Sequence, residues 1–385
     1  MSEEVLLMGP GPSPVSQRVL RALSRPLWGH LDPRFLAELD DASGALRLAF
    51  GSSARLTFPV SGTGSAAMEA AVVNLVWPGR RVLVLENGIF GERLLAMAQR
   101  AGGDVDRRSY PMGSPVDPED VRRALRARAA DVVAVVQAET STGVKNDVDA
   151  IAALAREQGA QLIVDAVTSL GGMPVTMDAW QAAIVYSGSQ KCLGAPPGLG
   201  PISVADTALA VRPEGTPVQS WYLDLGLIAR YVGTERLYHH TAPISMVFAL
   251  AEALRALREE GLEDRFLRHR KASSALRAGL AELGLASRVA PQDLLPSLTV
   301  VHPPKGLDEA ALRRELLLAE GIEIAGGLGA WKGQAWRIGT MGESARLGPV
   351  LRTVGSIARV LRRGGVQVSP TAASEAATAA WESAR

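Results

Sequence analysis

Five short apolar runs alternate with helical patterns between about residue 55 and residue 210, and this alternation narrows the possible folds more than any other feature. "RLTFPV" (55–60), "RVLVLE" (81–86), "DVVAVVQ" (131–137), "AQLIVDAV" (160–167) and "AAIVYSG" (182–188) read as short buried strands. Between them, 64–76, 90–102, 117–129 and 148–159 carry apolar residues at helical spacing. Asp117 before Pro118 supplies an N-cap and a first-turn proline, and Gly102 and Gly159 read as helix stops. Strand–helix–strand order of this kind demands a mostly parallel sheet covered on both faces, an α/β fold.

The pattern changes near residue 242. Two long helices follow, then "PSLTVVHPP", a helix near 308–320, "GIEIAGGLG", "AWRIGTMG" and a helix near 347–363. These read as a smaller α+β domain. The expected division is a large α/β domain at 20–255, a small domain from 1–19 plus 256–365, and a flexible tail at 366–385, whose Ala/Ser/Thr-rich sequence offers little to bury. The chain has 385 residues, 47% of them hydrophobic, which is enough for such a pair of cores.

Charge excludes several functions. The net charge is +1, and "RRALRAR" (122–128) reads as one solvated helix face, so neither a nucleic acid nor a membrane surface is an expected partner. Cys192 is the single cysteine, which points to a reducing compartment. The acidic "MSEEVLLMGPGPSP" start lacks a signal-peptide core, and "SAR" at residues 383–385 does not match the peroxisomal address. No apolar stretch reaches the roughly 18–20 residues of a membrane span. A cytoplasmic protein is expected.

In an open parallel sheet, ligands bind beyond the carboxyl ends of the strands. Several polar residues fall there. "SGTGSAAMEA" follows the first run as a glycine-bearing turn feeding a helix, the setting in which free N–H groups hold phosphate. "AETSTG" follows the third run, Asp165 sits near the end of the fourth, and Lys191 follows the fifth. An anion cradle, a buried carboxylate and an amine together match what pyridoxal phosphate requires: a phosphate site, a Schiff-base lysine and an aspartate facing the pyridinium nitrogen. Taken singly, each has a plainer reading. The aspartate could be a turn residue, the lysine a solvated charge, and Cys192 a small buried hydrophobe.

The motif string also resembles a known family. "GPGPSP", "SGTGSAAMEAAV", "ENGIFGER", "AETSTGV", "VDAVTSLGG", "YSGSQKCLGAPPG", "WYLDL", "YHHTAP", "GGLG" and "WRIGTMG" occur in the order seen in class V aminotransferases, and look like the alanine–glyoxylate and serine–glyoxylate/pyruvate branch, from about residue 7 to 365. The resemblance implies the aspartate-aminotransferase-like fold type I of pyridoxal-phosphate transferases. It implies Lys191 as the Schiff-base lysine and general acid/base, and Asp165 on the ring nitrogen. Phe90 would stack on the ring, and Thr140 would bond its phenolic oxygen. Val167 would line the site, and Thr63, Gly64, Ser65 and Gln190 would hold the phosphate. Tyr238 and Thr241 would reach the phosphate of the other subunit, making a homodimer with shared sites. Arg337 would grip the substrate carboxylate, with Gly11 and Thr140 contributing contacts. A guanidinium fork suits a carboxylate, and Trp336, Ile338 and Met341 place Arg337 in a partly buried setting. The plainer reading of Arg337 is an interdomain ion pair, that of Phe90 is core packing, and His239 and His240 are not assigned catalytic roles.

The implied activity is a ping-pong transamination from a small neutral amino acid to glyoxylate or pyruvate, because the motifs contain one obvious carboxylate clamp. Three positions depart from the family pattern: Phe90 stands where some members have Trp, Ser65 where some have His, and Gln137 where His is usual. Rival readings are a nicotinamide-dependent dehydrogenase, built on Gly62-x-Gly64-x-x-Ala67 with Glu86 ending the next strand, and a non-catalytic ligand sensor. The first leaves Asp165, Lys191 and Arg337 unexplained. The second lacks a helix-turn-helix pattern before residue 20. A cysteine desulfurase would want its thiol on a separate mobile loop, whereas Cys192 adjoins Lys191.

Overall fold

Alternation along the strands sorts their side chains onto two faces, and both faces are buried. Leu83, Leu85, Val133, Val135, Leu162, Val164 and Val185 enter one core, with the helices Pro33–Phe50, Val148–Glu157 and Ile244–Glu260 over it. Val82, Val84, Ala134, Val136, Ile163, Ile184 and Tyr186 enter the other, covered by Gly64–Leu75 and Ile89–Arg100. This is the arrangement a doubly covered parallel sheet requires. It is seen in a computed structural model that describes residues 5–304 and 306–384. Residues 1–4 and 305, within the anticipated small-domain segments, and residue 385 of the anticipated tail lie outside the described residues.

The sheet has seven strands in the order Leu56–Ser61, Leu199–Val204, Ile184–Tyr186, Gln161–Asp165, Val132–Val136, Arg81–Glu86, Asp104–Ser109. Neighbours are parallel except that Leu199–Val204 runs antiparallel to both strands beside it. Two reversals cancel, so Leu56–Ser61 points the same way as Ile184–Tyr186. The carboxyl ends at Ser61, Glu86, Val136, Asp165 and Tyr186 therefore share one rim. The mostly parallel sheet and its flanking helices are those of fold type I. The five strands and four helices expected within 55–188 are present, with Arg81–Glu86 matching its full span. Asp117 accepts the Glu119 N–H at 2.9 Å, as its capping role requires.

A second core joins both ends of the chain. Leu6–Leu7 pairs parallel with Ile322–Glu323, and Leu298–Val301, Trp336–Gly339 and Ala325–Gly326 form an antiparallel sheet. Met8, Leu276, Trp336, Ile338 and Val354 pack together beneath the helices Leu262–Glu282, Glu309–Glu320 and Leu347–Arg363.

Two expectations need correction. The boundary set at 255/256 falls inside the helix Ile244–Glu260, whose Leu257 still belongs to the large-sheet core; the helix ends at Gly261, at φ 82°. The segment 366–385 is not a flexible tail over its described length, because Pro370–Ser383 is helical. Ser369 caps it by accepting the Ala372 N–H at 3.2 Å. Its Ala373 and Ala377 are fully buried against the second core. The small side chains that suggested too little to bury are what permit this close approach. A Cβ on Gly279 would lie 2.9 Å from the Ala373 carbonyl oxygen.

Candidate active site

Lys191 follows the strand Ile184–Tyr186, and the strand's pairing continues into the loop. Ser187 N–H donates to Pro201 O at 2.7 Å and Ser189 N–H to Leu199 O at 3.0 Å. Gly194, at φ 75°, turns the chain back, and its N–H donates to Lys191 O at 3.0 Å. The N-terminal segment then closes over the lysine. Ser13 Oγ donates to Lys191 O at 2.8 Å, and Lys191 Nζ donates to Pro10 O. A Cβ on Gly11 would sit 2.5 Å from Nζ, at φ 113°, so glycine is required there both by space and by backbone conformation. Burial brings the Lys191 pKa down to about 8; the Arg337 and Arg93 charges lower it too, while Asp165 opposes them.

From below, Arg265 pins this loop. It is almost fully buried and donates to Gly171 O at 3.1 Å and Cys192 O at 2.7 Å, while Glu260 pairs with it at 2.7 Å. Sequence reading did not single out this residue, since an arginine on a polar helix carries no mark of its partners. Cys192 is fully buried and burial pushes its thiol up to about 12, which suits the plain packing role.

Asp165 ends the neighbouring strand and lies in one cross-strand row with Val136 and Tyr186. Its Oδ1 accepts the Val167 N–H at 2.8 Å and its Oδ2 accepts the Tyr186 hydroxyl at 3.0 Å. Burial raises its pKa to about 6, and these two donors act in the opposite direction. A buried carboxylate of raised pKa with an unused lone pair on each oxygen suits a cationic ring nitrogen. Tyr186 is a positioning residue that sequence reading took only as strand core.

Phe90 sits in the first turn of Ile89–Arg100, and that turn is anchored from beneath. Glu139 Oε2 accepts the N–H groups of Phe90 at 3.1 Å and Gly91 at 3.3 Å, while Oε1 accepts Ser141 N–H at 3.0 Å and Ser141 Oγ at 2.6 Å. A buried carboxylate thus meets the positive end of a helix. A Cβ on Gly88 would run into Glu139 Cδ at 2.5 Å, so this packing leaves no room for a side chain. Glu139 is assigned no role from the sequence. Gln137 donates to Pro174 O at 3.0 Å, and its Oε1 is buried without a partner among the described residues.

Opposite Phe90, Thr63 precedes the helix Gly64–Leu75 and its side chain makes no capping bond. The first N–H groups of that helix are therefore left for a ligand. Gly62, at φ 149°, makes the turn; a Cβ there would lie 2.6 Å from the Ala66 Cβ. A Cβ on Gly64 would lie 3.1 Å from Val167 Cγ2 and 3.3 Å from Ser187 O, which brings the helix start against the Asp165 and Lys191 loops. Gln190 Oε1 is buried without a partner among the described residues, and Ser65 Oγ accepts a bond from Arg93 at 3.0 Å. Uncapped helix-start N–H groups, in a cradle in which a Cβ would crowd its neighbours, fit a phosphate.

Arg337 lies on Trp336–Gly339 and is nearly buried. Its Nε donates to Gly326 O at 2.8 Å and its Nη1 to Thr140 O at 3.3 Å, which ties the small sheet to the loop carrying Thr140. Burial lowers its pKa, with the Glu139 and Glu323 charges opposing. Tyr238 and Thr241 do not join this constellation within the chain. Both are exposed, Tyr238 by 61%, and their hydroxyls lie 3.5 Å apart. The stretch touches the rim through His240, whose Nε2 is 2.6 Å from Ser61 Oγ. Glu86, the ribose ligand of the dehydrogenase alternative, is instead engaged by Arg107 Nη2 at 3.0 Å.

Fold and rim together define a fold type I pyridoxal-phosphate enzyme. The comparisons make the family specific: residues 30–333 match the model of the class-V aminotransferases, and the chain belongs to that family. It is an aminotransferase and its cofactor is pyridoxal phosphate. The crystal structure of alanine–glyoxylate aminotransferase from a Nostoc species is 44% identical, with TM-score 0.92 over 94% of this chain and 96% of that one. Ureidoglycine–glyoxylate aminotransferase from Bacillus subtilis is 37% identical, with TM-score 0.96 over 99% of both chains. Alanine–glyoxylate aminotransferase of Drosophila melanogaster is 37% identical over 88% of each chain. Neither the dehydrogenase nor the sensor reading is favoured by these matches.

Proposed function

We propose that the protein transfers the amino group of a small neutral amino acid, alanine or serine, to glyoxylate or pyruvate in two alternating half-reactions. The observation that carries this reading is Arg337, a nearly buried guanidinium held by two backbone carbonyls with donors to spare. One such fork recognises one carboxylate. A dicarboxylic substrate would need a second free cation, and the neighbouring Arg313 is paired with Glu309 at 2.7 Å. Relatives named for glyoxylate support that acceptor.

Pyridoxal phosphate supplies the electron-accepting ring and the aldehyde carbon through which an amino group passes. Asp165 would hold the ring nitrogen, Phe90 one ring face, and Gly64, Ser65 and Gln190 the phosphate. Thr140 and Val167 would line the remaining edge. Lys191 would hold the cofactor at rest. During turnover its amine, with a pKa of about 8, would take the substrate's α-proton and return it. Arg337 would fix the carboxylate so that the Cα–H bond stands where Lys191 reaches it. Gly11 keeps the space above Nζ free of side chain.

The active unit in this reading is a homodimer. Tyr238 and Thr241 are exposed, in a stretch whose His239 and His240 pack on the exposed Trp221 and Tyr222, and would complete the partner's phosphate site. A single cysteine supports placing the protein in the cytoplasm. The test is a panel of amino donors against glyoxylate, pyruvate and 2-oxoglutarate. Alanine or serine with glyoxylate should give the highest kcat/KM, and 2-oxoglutarate should be poor. Efficient use of 2-oxoglutarate would overturn the single-clamp argument. Likeness to the ureidoglycine enzyme over 99% of the chain makes ureidoglycine the second donor to include.

A further inference from the structure

The phosphate cradle assigned above contains no charged side chain. Thr63, Gly64, Ser65 and Gln190 offer hydroxyls, N–H groups and an amide. A phosphate monoester carries nearly two negative charges at neutral pH. Helix-terminal N–H groups supply only about half a positive charge.

Among the described residues, one cation touches this cradle. Arg93 lies on the helix Ile89–Arg100, one turn beyond Phe90. Its Nη1 donates to Ser65 Oγ at 3.0 Å, and its guanidinium carbon lies 5.1 Å from the centre of the Phe90 ring. The guanidinium thus spans the two elements that bracket the cofactor: the helix start that meets the phosphate and the aromatic that meets the ring. Its charge is also felt at the Asp165 carboxyl and at the Lys191 amine. Other donors of its fork remain for an anion, since the exposed side chain makes no further hydrogen bond among the described residues. Ser65 is short enough to leave room for this approach. The family's alternative residue at that position, histidine, would fill the same space.

We infer that Arg93 is the phosphate counter-ion of the cofactor site, reaching the phosphate alongside Ser65 while stacking on Phe90. This rests on the assignment of the cradle to Thr63–Ser65 and Gln190. It makes Arg93 a binding residue, with no part in proton transfer.

The experiment compares pyridoxal phosphate with pyridoxal, which lacks the phosphate, in titrations of the cofactor-free protein followed by the visible band of the bound form. Arg93→Gln should weaken pyridoxal phosphate binding roughly 10- to 100-fold, the range for a charge-assisted hydrogen bond. It should leave pyridoxal binding unchanged. Arg93→Lys, which keeps the charge and loses the fork, should fall between. Inorganic phosphate should compete with pyridoxal phosphate more weakly in Arg93→Gln than in the unaltered protein. Equal weakening of both ligands would mean that Arg93 only packs on Phe90, and would overturn the inference. Gln190→Leu separates the two levels of the argument. If Gln190→Leu discriminates between the ligands and Arg93→Gln does not, the inference about Arg93 fails alone. If neither does, the cradle assignment itself fails.

Discussion

Replacing Tyr186 by phenylalanine removes one oxygen atom and isolates the electrostatics of the cofactor site. The ring is fully buried and would keep its packing, while the Asp165 Oδ2 loses the hydroxyl that donates to it at 3.0 Å. A hydrogen bond to a charged group contributes about 1.5–3 kcal/mol, which is about one to two pKa units. The Asp165 pKa, already raised to about 6 by burial, should then move to about 7–8. At pH 7 the native carboxyl is about nine-tenths ionised, and the variant's would be about half ionised or less. If the ionised form is what holds the ring nitrogen, cofactor affinity of the apoprotein should fall about two- to tenfold at pH 7. It should recover by pH 9, where both carboxyls are ionised. The assay is a cofactor titration of the apoprotein at half-unit steps from pH 5.5 to 9, and the variant's affinity midpoint should lie above the native one. Superimposable profiles, or a deficit that persists unchanged at pH 9, would refute the role given to Tyr186.

Asp165→Asn should act in opposite directions on stability and on binding. The folded-state pKa lies above the unfolded value, so ionisation of Asp165 destabilises the apoprotein as pH rises from about 4 through 6. The variant should therefore gain up to about 3 kcal/mol over the native apoprotein at pH 7, shrinking towards zero near pH 4, in paired denaturation curves, while losing cofactor affinity. Glu139→Gln leaves at least two of the four donors now satisfied by the carboxylate without a good acceptor. Urea unfolding should show a loss of at least about 2 kcal/mol. Gly279→Val should cost about 1–3 kcal/mol by overpacking, since even a Cβ would meet Val354 Cγ1 at 2.8 Å and the Ala373 carbonyl oxygen at 2.9 Å; an unchanged melting temperature would refute the close packing of Leu262–Glu282 against Leu347–Arg363 and Pro370–Ser383. Lys191→Ala should abolish both turnover and the visible band of the bound cofactor, and residual exchange of amino groups would exclude Lys191 as the proton carrier.

Some elements escaped the sequence reading for identifiable reasons. Asp104–Ser109 is the edge of the large sheet, and its Asp106, Arg107 and Arg108 hide any strand signal behind the charges that keep such edges from pairing. Leu199–Val204 follows the Pro- and Gly-rich loop directly and looked like its continuation. The helix Pro33–Phe50 did carry local marks, with Asp32 accepting the Arg34 N–H at 2.9 Å and Gly51 at φ 56° closing it. The C-terminal helix carried an Ala373/Ala377 spacing, but nothing in that stretch reveals that Gly279 leaves a groove for it.

Local chemistry by itself determined where the strands and their intervening helices lie, and hence that Thr63, Phe90, Thr140, Asp165 and Lys191 each lie at or beyond the end of a strand. Periodicity and capping act between residues a few positions apart, so they are written in any short window. Tertiary structure alone decided which of those ends meet and what stands behind them. The Tyr186 hydroxyl reaches Asp165 because their strands are neighbours in register. Glu139 sits under Phe90, Ser13 over Lys191, and Arg93 on Ser65 because loops from different strands crowd one rim. Those contacts depend on strand order and on the stagger between elements, quantities set by the packing of the whole chain and absent from any one stretch of it.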